Sequence, residues 1–179
     1  MKVGINVKTI IKEFAIAAAV SFIIMQFIRP VTIMGRSMEP TLSSGDRAFV
    51  SLVAYKRTTP ERGDIVVFKS RLKDARGKSK TLIKRVVALP GEKIRIEEGR
   101  IIVDGKELVD NVSLEGMEGY NMSERIVDNG CYFCIGDNRL HSTDSRSLDV
   151  GTVPIKKILG RVVYRYFPLE KMAAIKTMV

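Results

Sequence analysis

Three short segments combine reactive side chains with residues that bend the backbone. They are Met34-Gly-Arg-Ser37-Met-Glu-Pro40-Thr-Leu42, Ile83-Lys84-Arg85-Val-Val-Ala-Leu-Pro90-Gly-Glu92, and Gly136-Asp137-Asn138-Arg139-Leu-His-Ser142-Thr-Asp144-Ser145-Arg146. Ser37 stands between Gly35 and Pro40, where a turn can present its hydroxyl, although serine is also a common turn residue with no chemistry. Lys84 lies within the apolar run Thr81 to Leu89. A strand lysine that faces inward must lose its charge or find a partner. Neighbours on a strand point opposite ways, so one of Lys84 and Arg85 is expected to face the core. An edge strand showing both charges to solvent is the alternative.

A serine hydroxyl becomes a useful nucleophile when a base takes its proton during attack, and a neutral lysine can be that base. The ordinary lysine pKa of ~10.4 must then fall toward neutrality, which burial without a nearby carboxylate accomplishes. His141 is the sole histidine and lies close to Ser142 and Asp144. A Ser37-His141-Asp144 triad is therefore the rival arrangement. Cys131 and Cys134 are the only cysteines. Positions three apart on a strand face opposite sides, and a zinc site needs four ligands, so neither metal binding nor a redox motif is expected. Two buried, unpaired thiols are expected instead.

The elements that must position these groups fall into two parts. Residues 1–9 carry Lys2 and Lys8, and the stretch from Ile10 to Ile28 is almost wholly apolar before Arg29-Pro30 closes it. Its 19 residues approach the ~20 needed to cross a bilayer core, with Lys12 and Glu13 reaching back to the interface. A cleaved secretory signal would end in a polar stretch with small residues, whereas Ile28-Arg29-Pro30-Val31 follows here. Residues 10–29 are thus read as an uncleaved transmembrane anchor. The lysines ahead of it place residues 1–9 in the cytoplasm and residues 30–179 outside, on a single-pass cell-membrane protein.

Beyond residue 30 the apolar residues come in short β-branched runs, such as Ile65 to Phe68, Ile83 to Leu89 and Val162 to Phe167, separated by Gly, Pro and Asp. The fold class is mostly β with one N-terminal apolar helix. Ile94 to Ile96 and Arg100 to Val103 alternate around Glu98-Gly99, and Asp104-Gly105 offers a type I′ turn, so a meander of hairpins is expected. Residues from about 108 to 130 show little pattern and read as a loop or small insertion.

The net charge is +10, and beyond residue 29 there are 26 Lys and Arg against 19 Asp and Glu. Such a surface suits anionic membrane lipids. Lys69, Arg71, Lys73, Arg76, Lys78 and Lys80 have no aromatic residue among them. A nucleic-acid module, which interleaves aromatics with cations, is therefore not expected.

In this order the three segments closely resemble bacterial type I signal peptidases. Members of that family carry Ser-Met-x-Pro-Thr, then a Lys-Arg strand, then Gly-Asp-Asn-Arg-x-x-Ser-x-Asp-Ser-Arg. The resemblance spans essentially the whole chain, including Gly63-Asp-Ile-Val-Val-Phe68, and the single anchor is similar to the Gram-positive enzymes. It implies a β-fold shared with self-cleaving repressor proteases and an endopeptidase cutting preprotein signal peptides after small residues of the Ala-x-Ala type. An acyl-enzyme is implied, with no metal or other cofactor. By the same resemblance Ser37 is the nucleophile, Lys84 the general base, and Ser142 orients the Lys84 amine. Asp144 and Arg146 form a framework salt bridge, while Asp137 pairs with Arg85. Ile33, Met34, Gly35, Met38, Leu42, Leu82 and Ile83 match the apolar substrate pockets. Gly35 stands where Gram-negative members carry a serine that helps hold the oxyanion, which leaves that task to backbone N–H groups.

Overall fold

The computed structural model describes residues 7–109, 117–175 and 177. One helix, α1 (Val7–Phe27), is followed by β1 (Ile28–Thr32), β2 (Arg47–Ser51), β3 (Ile65–Lys73), β4 (Ser79–Ala88), β5 (Lys93–Glu97) and β6 (Arg100–Val103). Then come β7 (Lys106–Glu107), β8 (Met122–Ile126), β9 (Cys131–Ile135), β10 (Val153–Pro154), β11 (Ile158–Phe167) and β12 (Ala173–Ala174). The mostly β expectation is met.

The 21 residues of α1 give a helix of ~31 Å, close to the thickness of a bilayer core. Its apolar face is not covered by the rest of the chain, which makes it a candidate membrane span. The helix stops at Phe27, two residues before the expected end of the anchor at residue 29. Pro30 explains the difference, because proline disfavours helical backbone in the residue before it and cannot donate within a helix. Ile28 and Arg29 instead pair with Ser51 and Val50 across β1 and β2. As an edge strand of its sheet, β1 tolerates Pro30.

The larger sheet runs β1-β2-β11-β3-β4-β9-β10, with β12 added against β11. The smaller runs β7-β6-β5-β8, and every pairing in both is antiparallel. Glu98 and Asp104 adopt φ of 47° and 48°, each followed by a glycine of positive φ. Those angles suit the two-residue turns joining β5 to β6 and β6 to β7, so the expected hairpins form.

Residues 108–130 are not loop throughout. Met122–Ile126 forms β8, which pairs with β5 through Ile96 and Met122. Its inward residue Met122 joins Ile94, Ile101 and Phe133 in the core between the two sheets. The alternation was hidden because Ser123, Glu124 and Arg125 interrupt it, and β8 takes its place by pairing rather than by its own pattern. Residues 110–116 of that expected loop lie outside the described residues.

Strand β4 is central to the larger sheet. Ile83 packs with the cluster around Met38, Leu42 and Val67. Leu82 packs with another around Phe68, Tyr132 and Val153, to which Val86 also belongs. Both faces of β4 are therefore covered.

Candidate active site

The turn that carries Ser37 leaves the sheet after β1 and returns at β2. Met38 and Leu42 are buried to 1% and 0% exposure and peg the turn into the core. Backbone bonds from Leu42 N–H to Met38 O at 2.8 Å and from Gly45 N–H to Ile33 O at 2.9 Å close it. Gly35 has φ +86°, a left-handed conformation that side chains with a Cβ rarely adopt. Arg165 of β11 donates to Thr41 O at 2.9 Å and to Asp46 Oδ2 at 3.1 Å, tying the far side of the turn to the sheet.

The expectation that one of Lys84 and Arg85 faces the core is corrected: both are buried, with exposures of 2% and 1%. The reason is the coverage of both β4 faces, Ile83 packing with Met38, Leu42 and Val67, and Leu82 and Val86 packing with Phe68, Tyr132 and Val153. Lys84 Nζ and Ser37 Oγ are hydrogen-bonded 2.5 Å apart. Arg85 goes elsewhere, with Nε and Nη2 on Asp137 Oδ1 and Oδ2 at 2.8 and 2.6 Å. Its remaining donors reach Gly63 O at 2.8 Å and Thr41 Oγ1 at 3.3 Å. A bidentate pair whose guanidinium finds further acceptors is a geometry in which a buried ion pair is tolerated.

The segment after β9 brings the third group of residues. Gly136 donates to Asp144 Oδ2 at 3.0 Å, and Arg146 grips Asp144 through Nε at 2.8 Å and Nη2 at 2.9 Å. Asn138 N–H donates to Ser37 O at 3.1 Å and so fastens this segment to the Ser37 turn. A Cβ at position 136 would collide with Ser142 Oγ and the Ser37 carbonyl, so glycine is what permits the approach. Ser142 Oγ is buried and has no hydrogen-bond partner among the described residues. The bond from Ser142 to Lys84 is therefore not formed in this structure.

Burial pushes the Lys84 amine down to about 8, while the carboxylates of Asp144 and Asp137 pull it back up. The sequence-based picture of a lysine remote from any carboxylate is thus corrected. Both carboxylates are nearby, and each is already bound to an arginine. His141 is exposed, and its backbone N–H bonds to Asn138. The Asp144 carboxylate is taken up by Arg146 and Gly136, so the rival triad is not assembled. Of the two thiols, Cys134 is fully buried, whereas Cys131 is only half-buried at the start of β9; both are unpaired. Burial raises the Cys134 thiol well above its ordinary value.

A cleft of about 270 Å³ opens onto Ser37 and Lys84. Ile33, Met34, Gly35, Met38, Leu82 and Ile83 line it, as does Val67 with Val31, Thr32 and Thr81. Leu42 does not line the cleft; it is wholly buried beneath the turn. Of the lining residues overlooked in the sequence, Val67 could have been found from the register, because it pairs with Ile83.

A hydroxyl bonded to a buried amine in an open apolar cleft can attack an acyl carbon, which places the chain among nucleophilic hydrolases. The family model described as "Signal peptidase, peptidase S26" matches residues 7–167. Signal peptidase IB of Staphylococcus aureus (strain COL) is 32% identical over 177 residues, covering 89% of this chain and 88% of the relative. A protein called "Probable signal peptidase I-2" from Synechocystis is 38% identical over 138 residues, 76% of this chain and 62% of its own. A crystal structure of a signal peptidase I from Enterococcus faecalis V583 overlaps 59% of this chain and 97% of its own, with 27% identity and a TM-score of 0.48. The chain belongs to the signal peptidase family, peptidase S26. Its enzyme class is accordingly that of a serine protease.

Proposed function

We propose that this protein removes signal peptides from preproteins at the membrane surface, cutting after small residues through a Ser37-Lys84 dyad. The 2.5 Å approach of a buried amine to Ser37 Oγ carries the reading. The neutral Lys84 amine takes the Ser37 proton as Oγ attacks the carbonyl carbon. The tetrahedral oxyanion is held by backbone N–H groups beginning with that of Ser37, since Gly35 has no side chain to offer. Each such donor is worth ~3 to 4 kcal/mol in comparable enzymes. Collapse expels the amine of the mature chain, protonated by Lys84, and leaves an acyl-enzyme. A water deprotonated by Lys84 then attacks the ester and releases the signal peptide.

Ser142 acts in this scheme as a positioning residue, its buried hydroxyl turning to the Lys84 amine once Ser37 has been acylated. The pairs Arg85-Asp137 and Asp144-Arg146 hold the strand and segment that present base and hydroxyl. The cleft, floored by Val67 and Met38, suits extended substrate with small side chains of the Ala-x-Ala type. Helix α1 anchors the chain, its lysine-bearing end in the cytoplasm and the β-domain outside. Self-cleaving repressor proteases use a related dyad, but an apolar span stands here where they carry a DNA-binding unit.

Detergent-purified full-length protein incubated with a preprotein whose signal ends in Ala-x-Ala tests the reading. Wild type and His141→Ala should both cleave, and Ser37→Ala and Lys84→Ala should not. Cleavage by Lys84→Ala, or its loss in His141→Ala, would reject the dyad.

A further inference from the structure

A second cleft, of about 330 Å³, lies along β3 and is distinct from the one at Ser37. Val67 and Phe68 are adjacent in β3, yet Val67 lines the Ser37 cleft while Phe68 lines this one. The two clefts have no lining residue in common. Phe68, Val150 and Val153 supply the second cleft with an apolar floor. Around it stand Lys69, Arg71, Lys73 and Lys157, with the hydroxyls of Ser70, Ser79 and Thr152.

The charges of this cleft are unbalanced. None of its four cations is in an ion pair among the described residues. Arg71 rests against Gly151. Lys73 Nζ donates only to Ser79 Oγ, at 3.3 Å. The acids close by are engaged otherwise: Asp74 accepts the N–H groups of Arg76 and Lys78 in the β3-β4 turn, and Asp128 accepts from Thr152 Oγ1. Four cations gathered about a concave, partly apolar surface raise the local potential, and an anion entering it relieves their mutual repulsion.

We infer that this cleft binds the phosphodiester headgroup of an acidic lipid. A phosphate oxygen array meets Arg71 as a planar donor fork and the lysines as point charges, while the glycerol and first acyl carbons lie on Phe68, Val150 and Val153. The lipid is favoured over a free ion because the floor is apolar and because the β-domain follows directly on α1. No part of this inference depends on the Ser37-Lys84 chemistry.

Thermal unfolding of the full chain in neutral detergent tests it. Phosphatidylglycerol at about a hundredfold excess over its Kd should raise the Tm by roughly 5 °C, and phosphatidylcholine should not. In Lys69→Gln/Arg71→Gln/Lys157→Gln the rise should vanish while preprotein cleavage in detergent persists, showing that the variant is folded. Arg71→Gln alone should reduce the rise. Lys56→Gln/Lys106→Gln/Lys171→Gln, with the same loss of charge at exposed sites elsewhere, should keep it. Equal rises in wild type and the cleft variant, or no rise with phosphatidylglycerol, would overturn the site. An equal rise with inorganic phosphate would replace the headgroup with a soluble ion and overturn the lipid assignment.

Discussion

Lys84 and Arg85 are successive residues of one strand, equally buried, and their surroundings are opposite in kind. On the Arg85 side a carboxylate answers the guanidinium through two bonds, so both charges persist inside the protein. On the Lys84 side the direct partner is a neutral hydroxyl, and the nearest carboxylates are held by arginines. The same burial therefore fixes a charge in one place and drives it off in the other. The difference lies in the partner, and the residue types suit it: guanidinium does not give up its proton in proteins, whereas an amine does so readily when desolvated.

The comparison is broken most severely by Lys84→Arg. This variant can keep a hydrogen bond to Ser37 but has no neutral form near physiological pH, so kcat for preprotein cleavage should fall by about 10⁴ or more. Retained activity would mean that contact with Ser37, and not proton transfer, is what position 84 supplies. Asp137→Ala breaks the other side by leaving the Arg85 charge buried without its partner. Denaturant unfolding should show a loss of ~3 to 5 kcal/mol. A loss no larger than that of an exposed pair, ~1 kcal/mol or less, would show that the guanidinium escapes to water.

The sides should also differ in their response to pH. With the Lys84 amine at about 8, kcat/KM should climb with pH and level off above that value. Two units lower, at pH 6, it should be down by about a hundredfold. The sign for stability follows from the same lowering. Between about pH 8 and the ordinary lysine value of 10.5 the unfolded chain holds more of this proton than the folded one. The contribution of Lys84 to unfolding free energy must then rise with pH across that window. An acid limb centred near 10 would mean that folding does not desolvate the amine.

Much of this contrast was legible before any coordinates. Lys84-Arg85 inside an apolar run points to one charge facing the core, with a solvent-facing edge strand as the alternative, and the three bend-rich segments name the residues that meet. What pattern could not give was the covering of the second face of β4. It rests on long-range packing, of Ile83 against Met38 and Val67 and of Leu82 and Val86 against Phe68 and Tyr132, while the missing side chain of Gly136 lets the segment after β9 close on Ser37 and Ser142. Leu42 was misplaced for a similar reason. In sequence it reads like Met38, and only the path of the turn sends it under the cleft instead of into its wall. Strand β8 was missed because its two apolar residues, Met122 and Ile126, are separated by three polar ones and show no clear alternation, and its pairing with β5 is a long-range fact. Pro30, by contrast, is a purely local signal, and it accounts for the helix ending at Phe27.

Ser142→Ala gives the smallest expected effect and the finest separation of the two sides. Its Oγ is buried and has no partner among the described residues, so the resting enzyme carries a desolvated hydroxyl without the compensating bond. Removing it should leave stability unchanged or raise it by up to ~1 kcal/mol. If the hydroxyl serves Lys84 during turnover, kcat should nevertheless fall about tenfold with KM little altered. The alternative, a hydroxyl that only fills space beside Gly136, predicts no change in kcat. Stability and rate moving in opposite directions would therefore assign Ser142 to the reactive side of β4, where a group left unsatisfied in the resting state is used in the reaction. Joint loss of both would place it with Arg85 and Asp137 in the framework.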